Sequence, residues 1–384
     1  MNTLLYLLLT LVLLSIMVVI HELGHFLFAK LFKVTVLEFS VGMGPAIYTT
    51  KNRKSKKARR EKNEIDIAES FRSNEEALNT DALTDLDGVE KTVFSVRALP
   101  IGGYVSMAGE DNESDDPNAF HKKPVWQRFI ITVAGAVMNI LLGVICMFAL
   151  VGMESAQEGY LASNTIHSFQ ENSVSDKGDS ALKAGDKVIK VDGVSIHTGN
   201  ELVYEIMNSG YEPIDLVVIR DGKEITLNDV SFPTETQGGA TFGNYDFVMQ
   251  AEKADFPTIM KHSFFRSFST VKVIIDSLVD LVGGRYGAEA VSGPVGMAGA
   301  VGEATKSGIN SVLYLFTLIT MNLGVFNLLP IPALDGGRLI FLIVEGIRRK
   351  PIKKEFEQAV NTAGIMILMA LMLLITVKDI FNLF

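Results

Sequence analysis

The sequence has little cysteine and no excess of positive charge, and each shortage excludes a class of protein. Its 384 residues include a single cysteine, so neither an intramolecular disulfide nor a cysteine-rich zinc site can form. Any bound metal ion must therefore use histidine and carboxylate ligands. The 35 basic and 44 acidic residues leave a net charge of -9, which argues against nucleic acid as a partner.

Charged residues are also missing from four long stretches. None of these contains Asp, Glu, Lys or Arg, and they cover residues 1–20, 129–153, 307–334 and 358–377. A bilayer core about 30 Å thick requires about 20 apolar helical residues, and each stretch is long enough. We therefore predict a polytopic α-helical membrane protein with four spans. The first stretch lacks the basic start and small-residue cleavage site of a signal peptide, so we interpret it as a retained span.

The distribution of basic residues predicts the orientation of the spans. Lys and Arg number 16 in residues 30–128, 12 in the longer segment 154–306 and six in the short loop 335–357. Cytoplasmic loops are richer in basic residues than translocated segments. We therefore place 30–128 and 335–357 on the cytoplasmic side, and 154–306 and both termini outside.

The segments between the spans predict several separate elements. Residues 51–90 form a charged insertion, basic first and then acidic, of a kind that is usually solvated. Residues 92–107 hold two β-rich runs around a Pro/Gly turn and predict a β-hairpin. Residues 160–235 show strand signals around one short helix, with a hairpin turn at Asp221-Gly222. The helical apolar spacing of 257–282 fits either a helix on the membrane surface or a core helix of the outer domain.

The residues that can carry chemistry lie at the end of the first stretch, in His21-Glu22-Leu23-Gly24-His25. Two histidines four residues apart share one face of a helix and can bind one zinc ion, while Glu22 beside them can take a proton from the attacking water. Such a motif often arises by chance, and a polar residue in a span can be a satisfied packing contact. Three ionisable groups at the end of an apolar helix are costly in lipid, however, and favour a functional site.

A third protein ligand is required, because a catalytic zinc ion takes three and keeps one position for water. The other four histidines lie in outer segments or in a polar loop, so Asp335 is the better candidate. It follows the third charge-free stretch, where Pro330 and Pro332 interrupt the helix and free backbone groups that only a protein cavity tolerates. A carboxylate that merely caps the next helix is the simpler alternative. The charge-derived topology independently places His21, His25 and Asp335 at one depth.

Taken together, these motifs resemble those of the site-2 protease family of intramembrane zinc metalloproteases. The resemblance is to the bacterial branch, which carries a PDZ domain between the second and third core spans and lies in the cytoplasmic membrane. The matching segments are His21 to His25, Gly42 to Pro45, Val96 to Met107, Ser292 to Gly296 and Asn327 to Gly336. The implied organisation is a first span at 1–29, a cytoplasmic-side loop at 30–128, a second span at 129–153, a PDZ-like α+β domain at 160–235, an outer linker at 257–306, a third span at 307–338 and a fourth at 358–380.

The resemblance also implies roles for individual residues. His21, His25 and Asp335 would bind Zn2+, and Glu22 would activate water. Asn327 would help to hold the substrate backbone. Strand pairing with an unwound substrate is implied for the membrane-associated hairpin, through Gly102, Gly103, Tyr104 and Val105.

The expected substrates are single-span membrane proteins already shortened on the outer side, such as anti-sigma factors or remnant signal peptides. A PDZ-like domain would exclude bulky ectodomains or bind C-termini, and any small β-rich domain is the alternative interpretation of 160–235. A catalytically silent adaptor and a metal-handling membrane protein are alternative functions, although neither explains Glu22 between the two histidines. Gly135 to Asn139 offers small residues for close helix packing. The substrate, the upstream protease and the oligomeric state stay open.

Overall fold

The computed structural model describes residues 2–50, 92–110, 114–237, 240–285 and 293–381. The predicted insertion at 51–90 lies outside these residues, as does Ser292. The chain falls into two compact units, one formed by residues 1–139 with 326–369 and the other by 140–325 with 370–384.

Within the described residues, four helices are long and apolar enough to cross a membrane, which confirms the four predicted spans. They are α1 (Asn2–Leu31), α2 (Val125–Glu158), α6 (Ile309–Leu328) and α8 (Lys354–Phe381). Their apolar side chains suit a lipid environment, and in lipid a helix satisfies its backbone hydrogen bonds within the segment. The chain is therefore a polytopic membrane protein.

The third span ends earlier than the predicted 307–338. α6 stops at Leu328, and Asp335 begins a separate amphipathic helix, α7 (Asp335–Arg348). Pro330 and Pro332 lie in the break, where their rings and missing amide protons prevent a continuous helix. The break places Asp335 on the first turn of a new helix.

The sheet of the first unit differs from the predicted hairpin. β1 (Val36–Thr49) pairs with β2 (Val93–Met107), and Phe39 is paired with both Val105 and Phe94. The first half of β1 therefore lies between the two halves of β2, so the two runs of 92–107 do not pair with each other. A lone two-stranded hairpin is marginal in stability, and inserting β1 satisfies more backbone groups.

The second unit contains an α+β domain in the predicted region. Its elements are β3 (Tyr160–Phe169), β4 (Lys187–Val191), β5 (Val194–Ser195), α3 (Gly199–Ser209), β6 (Ile214–Arg220), β7 (Lys223–Val230), β8 (Thr234–Gln237), β9 (Ala240–Gly243) and β10 (Phe247–Lys253). The main sheet has the order β10-β3-β4-β6-β7. Asp221 and Gly222 form the predicted turn, with φ values of 51° and 75°. Because β10 pairs with β3, the domain extends beyond residue 235.

Two further helices follow the domain in the second unit, α4 (Phe256–Gly283) and α5 (Pro294–Ser307). Ile274 of α4 packs against Met321 and Val325 of α6. Elsewhere on α4, large apolar side chains are exposed, including Phe268 and Val282. α4 therefore contacts both a candidate span and the β-rich domain, where Tyr204 of α3 donates a hydrogen bond to Asp276 of α4.

Candidate metal centre

Helices α1 and α7 bring three potential metal ligands to one point. The spacing of four residues on α1 puts His21 and His25 one turn apart, with their Nε2 atoms separated by 3.1 Å. Oδ2 of Asp335 lies 3.1 Å from Nε2 of His21 and 3.3 Å from Nε2 of His25. The histidines are buried and Asp335 is half-buried. The three predicted ligands therefore meet in the structure.

This donor set fits a zinc ion. Tetrahedral zinc with ligand bonds of about 2.0–2.1 Å separates its ligand atoms by about 3.3 Å, close to the three observed distances. Oδ2 of Asp335 is also buried without a hydrogen-bond partner among the described residues, although it lies near both imidazoles. A buried, unsatisfied carboxylate oxygen is unfavourable unless a cation compensates it. Two histidines and one carboxylate leave a fourth position open, as in catalytic zinc sites.

Contacts with α2 orient both histidine rings. Nδ1 of His25 lies 2.8 Å from the carbonyl oxygen of Ile131, so this nitrogen carries the proton and donates. Nδ1 of His21 lies 3.4 Å from the side-chain amide of Asn139, whose oxygen has no partner among the described residues. Turning the amide lets this oxygen accept a hydrogen bond from Nδ1 of His21 and satisfies both groups. Such contacts fix the tautomer in which Nε2 faces a metal.

Two glycines allow α1 and α2 to approach each other at this site. A Cβ at Gly135 would collide with Nε2 of His25 and lie 2.8 Å from Nε2 of His21. A Cβ at Gly24 would lie 2.7 Å from the carbonyl carbon of Ala134. The sequence predicts only general helix packing for Gly135 and Asn139 and does not reveal their contacts with the two histidines. The one sequence feature that could have indicated such a role is the polar side chain of Asn139 within an apolar span.

A cavity of about 200 Å³ opens at the three ligands and contains Glu22. Val105 lines the same cavity as Glu22. Arg338 donates to Oε1 of Glu110 in the cavity wall. The lining residues are His21, Glu22, His25, Tyr104, Val105, Met107, Glu110, Thr132, Asp335 and Arg338. The cavity thus combines a carboxylate that can accept a proton, three metal ligands and one edge of the β1–β2 sheet.

The structure brings some of the predicted substrate-binding residues to this cavity and leaves others away from it. Tyr104 and Val105 line it, and a Cβ at Gly103 would lie 3.6 Å from Cγ of Glu22. Gly102 is not among the lining residues and has a φ of 78°, which serves the bend of β2. Asn327 lies half-buried in the last turn of α6 and is also outside the lining.

A second polar cluster joins the strands of the β1–β2 sheet. Glu38 accepts hydrogen bonds from Oγ of Ser95 at 2.5 Å, the Tyr104 hydroxyl at 2.7 Å and Nη2 of Arg97 at 2.9 Å. Burial acts to raise the pKa of Glu38, but these hydrogen bonds outweigh it and hold the pKa below its ordinary value. Burial and the bond to Glu38 raise the pKa of Tyr104 to about 12, so Tyr104 stays a protonated donor.

Known proteins are similar to this chain in sequence over most of its length. The family model described as Peptidase family M50 matches residues 9–58 and 79–371. A Clostridium acetobutylicum protein, provisionally named a zinc metalloprotease, is 33% identical over 95% of this chain and 94% of its own length. A provisionally named zinc metalloprotease of Fusobacterium nucleatum is 32% identical over 98% and 99%. The regulator of sigma-W protease RasP of Bacillus subtilis is 27% identical over 96% of both chains.

Two histidines one helical turn apart, a third ligand from another helix and a neighbouring glutamate define the class of mononuclear metallopeptidases. The chain belongs to peptidase family M50, the site-2 protease family. It is a membrane zinc metalloprotease.

Proposed function

We propose that the protein is an intramembrane endopeptidase that hydrolyses peptide bonds within the transmembrane segments of single-span membrane proteins. His21, His25 and Asp335 hold the zinc ion, and Glu22 is the general base. The observation that carries this proposal is the position of the site. Its two histidines and Glu22 belong to α1, a helix long and apolar enough to span the membrane, so the reaction takes place on a membrane helix and not on a separate soluble domain.

The residues of the cavity supply the steps around the ion. When bound, zinc supplies Lewis-acid activation of water and of the scissile carbonyl. Glu22 accepts a proton from the water as the new C–O bond forms, and it passes that proton to the amide nitrogen as the C–N bond breaks. Val105 lines the cavity beside Glu22. Ile131 and Asn139 keep the imidazoles in the ligating orientation.

Substrate binding requires an unwound segment, because a helix hides its amides in internal hydrogen bonds. In lipid, the freed amides and carbonyls need replacement partners. β2 supplies them through Gly103 and its neighbours, since this part of the strand lies beside Glu22. Gly102 and Asn327 lie outside the cavity lining and are proposed to contact the substrate backbone farther from the ion.

The distribution of basic residues supports an active site toward the cytoplasm, with both termini and the β-rich domain outside. A cysteine introduced by Lys223→Cys should then react with an impermeant maleimide in intact cells. A cysteine introduced by Lys353→Cys should react only after lysis. The reverse pattern would contradict the orientation.

The β-rich domain is proposed to be a PDZ-like filter that admits substrates only after another protease has removed most of their ectodomain. Strand β4, the tight turn at Asp192-Gly193 and helix α3 occur in the order expected for such a domain. Anti-sigma factors and remnant signal peptides are suitable substrates. The name of the Bacillus subtilis relative, regulator of sigma-W protease, supports the first of these.

Zinc content and cleavage of trimmed single-span substrates, measured in liposomes, test the proposal. Glu22→Gln should retain about one zinc ion per chain and lose at least about 100-fold in rate, since general base catalysis contributes about 10²–10⁴. Asp335→Ala should lose both zinc and activity. Glu158→Gln, which changes an exposed residue at the end of α2, is the matched control and should behave as wild type.

Mass spectrometry of the products locates the cut. If every substrate is cut outside its membrane-spanning segment, intramembrane proteolysis is refuted. The protein would then still be a zinc protease. Normal turnover by Glu22→Gln would refute the assigned base. Zinc binding without cleavage by wild type across the panel would favour an adaptor or a metal-handling protein.

A further inference from the structure

An apolar groove lies on the first unit between the first turns of α2 and the second half of α7. Its volume is about 770 Å³. The walls are Val125, Trp126, Phe129, Ile130, Leu342, Ile343, Gly346 and Ile347. Trp126 is 56% exposed and Ile347 is 78% exposed. This groove is separate from the catalytic cavity, with which it shares no lining residue.

One ion pair joins the two helices beside the groove. The Arg128 guanidinium forms two hydrogen bonds to the Glu345 carboxylate, at 3.1 and 2.6 Å. This bidentate pair neutralises Glu345. The pair therefore fixes the spacing of the groove walls and removes the negative charge nearest to them.

The outer side of α7 has the pattern of a helix that lies in a membrane interface. Ile340, Ile343 and Ile347 are exposed and recur at helical spacing, while Leu339 and Leu342 are buried against the protein. Exposed apolar side chains on an amphipathic helix are favourable where they enter the boundary between headgroups and acyl chains. The groove opens on this same apolar side.

The end of α7 is strongly basic. A basic run follows the groove residues without an intervening acidic residue, and consists of Arg348, Arg349, Lys350, Lys353 and Lys354. The first four are exposed and form no ion pair within the described part of the chain. The ammonium of Lys354 is buried and lacks a hydrogen-bond partner there. Lys354 also begins α8, a candidate span, so the run lies where a helix enters the membrane.

From this combination we propose that the groove binds the acyl chains of an anionic phospholipid, whose phosphate contacts the basic run. The apolar walls suit hydrocarbon, and four to eight basic residues next to a membrane span attract anionic headgroups. The proposal does not depend on the catalytic roles assigned above. Helix α7 would then have two roles, because it begins with the proposed zinc ligand Asp335 and ends beside the lipid site.

Trp126 in the groove wall is the only tryptophan of the sequence, so its fluorescence reports on the groove alone. We would reconstitute the full chain in nanodiscs containing brominated phosphatidylglycerol or brominated phosphatidylcholine at equal mole fraction. Bromine quenches tryptophan fluorescence on contact. The relative affinity for the anionic lipid should exceed that for the neutral lipid by about fivefold or more, as expected from about 1 kcal/mol per basic residue near the headgroup.

Two variants separate the headgroup from the acyl chains. Changing Arg348, Arg349, Lys350 and Lys353 together to Gln should abolish the preference for the anionic lipid. Both brominated lipids should still quench the fluorescence of Trp126. The matched control changes Lys183, Lys187, Lys190 and Lys223 to Gln, which removes the same charge from exposed positions of the β-rich domain, and should retain the preference. Gly346→Phe fills the groove and should reduce quenching by both lipids.

Equal quenching of wild type by the two lipids would overturn the proposal. So would the loss of selectivity in the control variant, which would indicate a general charge effect. If wild type is poorly quenched by either lipid and Gly346→Phe changes the oligomeric state, a second copy of the chain covers the groove and no lipid site exists.

Discussion

Two polar clusters of the first unit differ in how completely their hydrogen bonds are satisfied. In the β1–β2 sheet, Glu38 accepts three hydrogen bonds, and Arg97 also donates to Ser40 and to the Gly44 carbonyl. Among the proposed ligands, Asp335 Oδ2 has no hydrogen-bond partner within the described residues. The fully hydrogen-bonded Glu38 cluster stabilises one arrangement of the sheet. The proposed ligands instead bring acceptor atoms together without donors, and such a group needs a cation. Substitutions at Gly135, Asn139 and Glu38 should therefore affect the two clusters differently.

The largest effect is expected from Gly135→Ala. The new methyl group would collide with Nε2 of His25 and displace both rings, so the zinc content should fall to near zero and activity should be lost. The second cluster should remain intact, with little change in secondary structure by circular dichroism.

Gly152→Ala is the matched control on the same helix, because a Cβ there meets nothing within 4 Å. It should retain zinc and activity. A Gly135→Ala protein with a full zinc load would show that the site is more open than the structure indicates.

Asn139→Ala should have an intermediate effect. Loss of the acceptor for Nδ1 of His21 leaves the ring free to rotate, and removal of such a partner typically weakens metal affinity by about 10–100-fold. Competition with a zinc chelator measures this affinity. Asn139→Asp keeps an oxygen acceptor and should retain more affinity than Asn139→Ala, whereas equal losses would contradict a positioning role.

Glu38→Gln should affect zinc least, because Glu38 contacts none of the three proposed ligands. It weakens the charged hydrogen bonds from Arg97 and Tyr104 and should lower the free energy of unfolding by about 1–3 kcal/mol, with the zinc content unchanged. Since the folded pKa of Glu38 is depressed, its contribution is present above the ordinary value of 4.5 and is lost as the pH falls through the folded value.

Thermal unfolding of both proteins at neutral and acidic pH measures this contribution. The difference between wild type and variant should shrink on acidification. A difference that is independent of pH would exclude the carboxylate as its source.

The three candidate ligands could be predicted from the sequence, while the residues that contact and orient their rings could not. The spacing of four residues puts His21 and His25 on one helical face regardless of tertiary packing, and the prolines before Asp335 mark a break. Asn139 and Gly135 lie in a span that is apolar on all sides, so periodicity does not reveal which face meets α1.

The β-strands could likewise be predicted only in part from the sequence. The turn at Asp221-Gly222 is local and was predicted, because two residues with positive φ determine it. The pairing of β1 with β2 joins segments separated by the charged insertion, and both carry apolar, β-favouring residues. Local patterns in 92–107 therefore indicate strands without identifying their partner.

The close approach at Gly24 has a consequence for the order of maturation. Because helix-to-helix backbone contact sets the distance between α1 and α2, His21 and His25 are positioned by protein packing, unlike the ligands of small zinc domains that fold only around metal. The apoprotein is therefore expected to be a folded membrane protein that can be loaded late. Zinc would then be required for activity but not for insertion or folding.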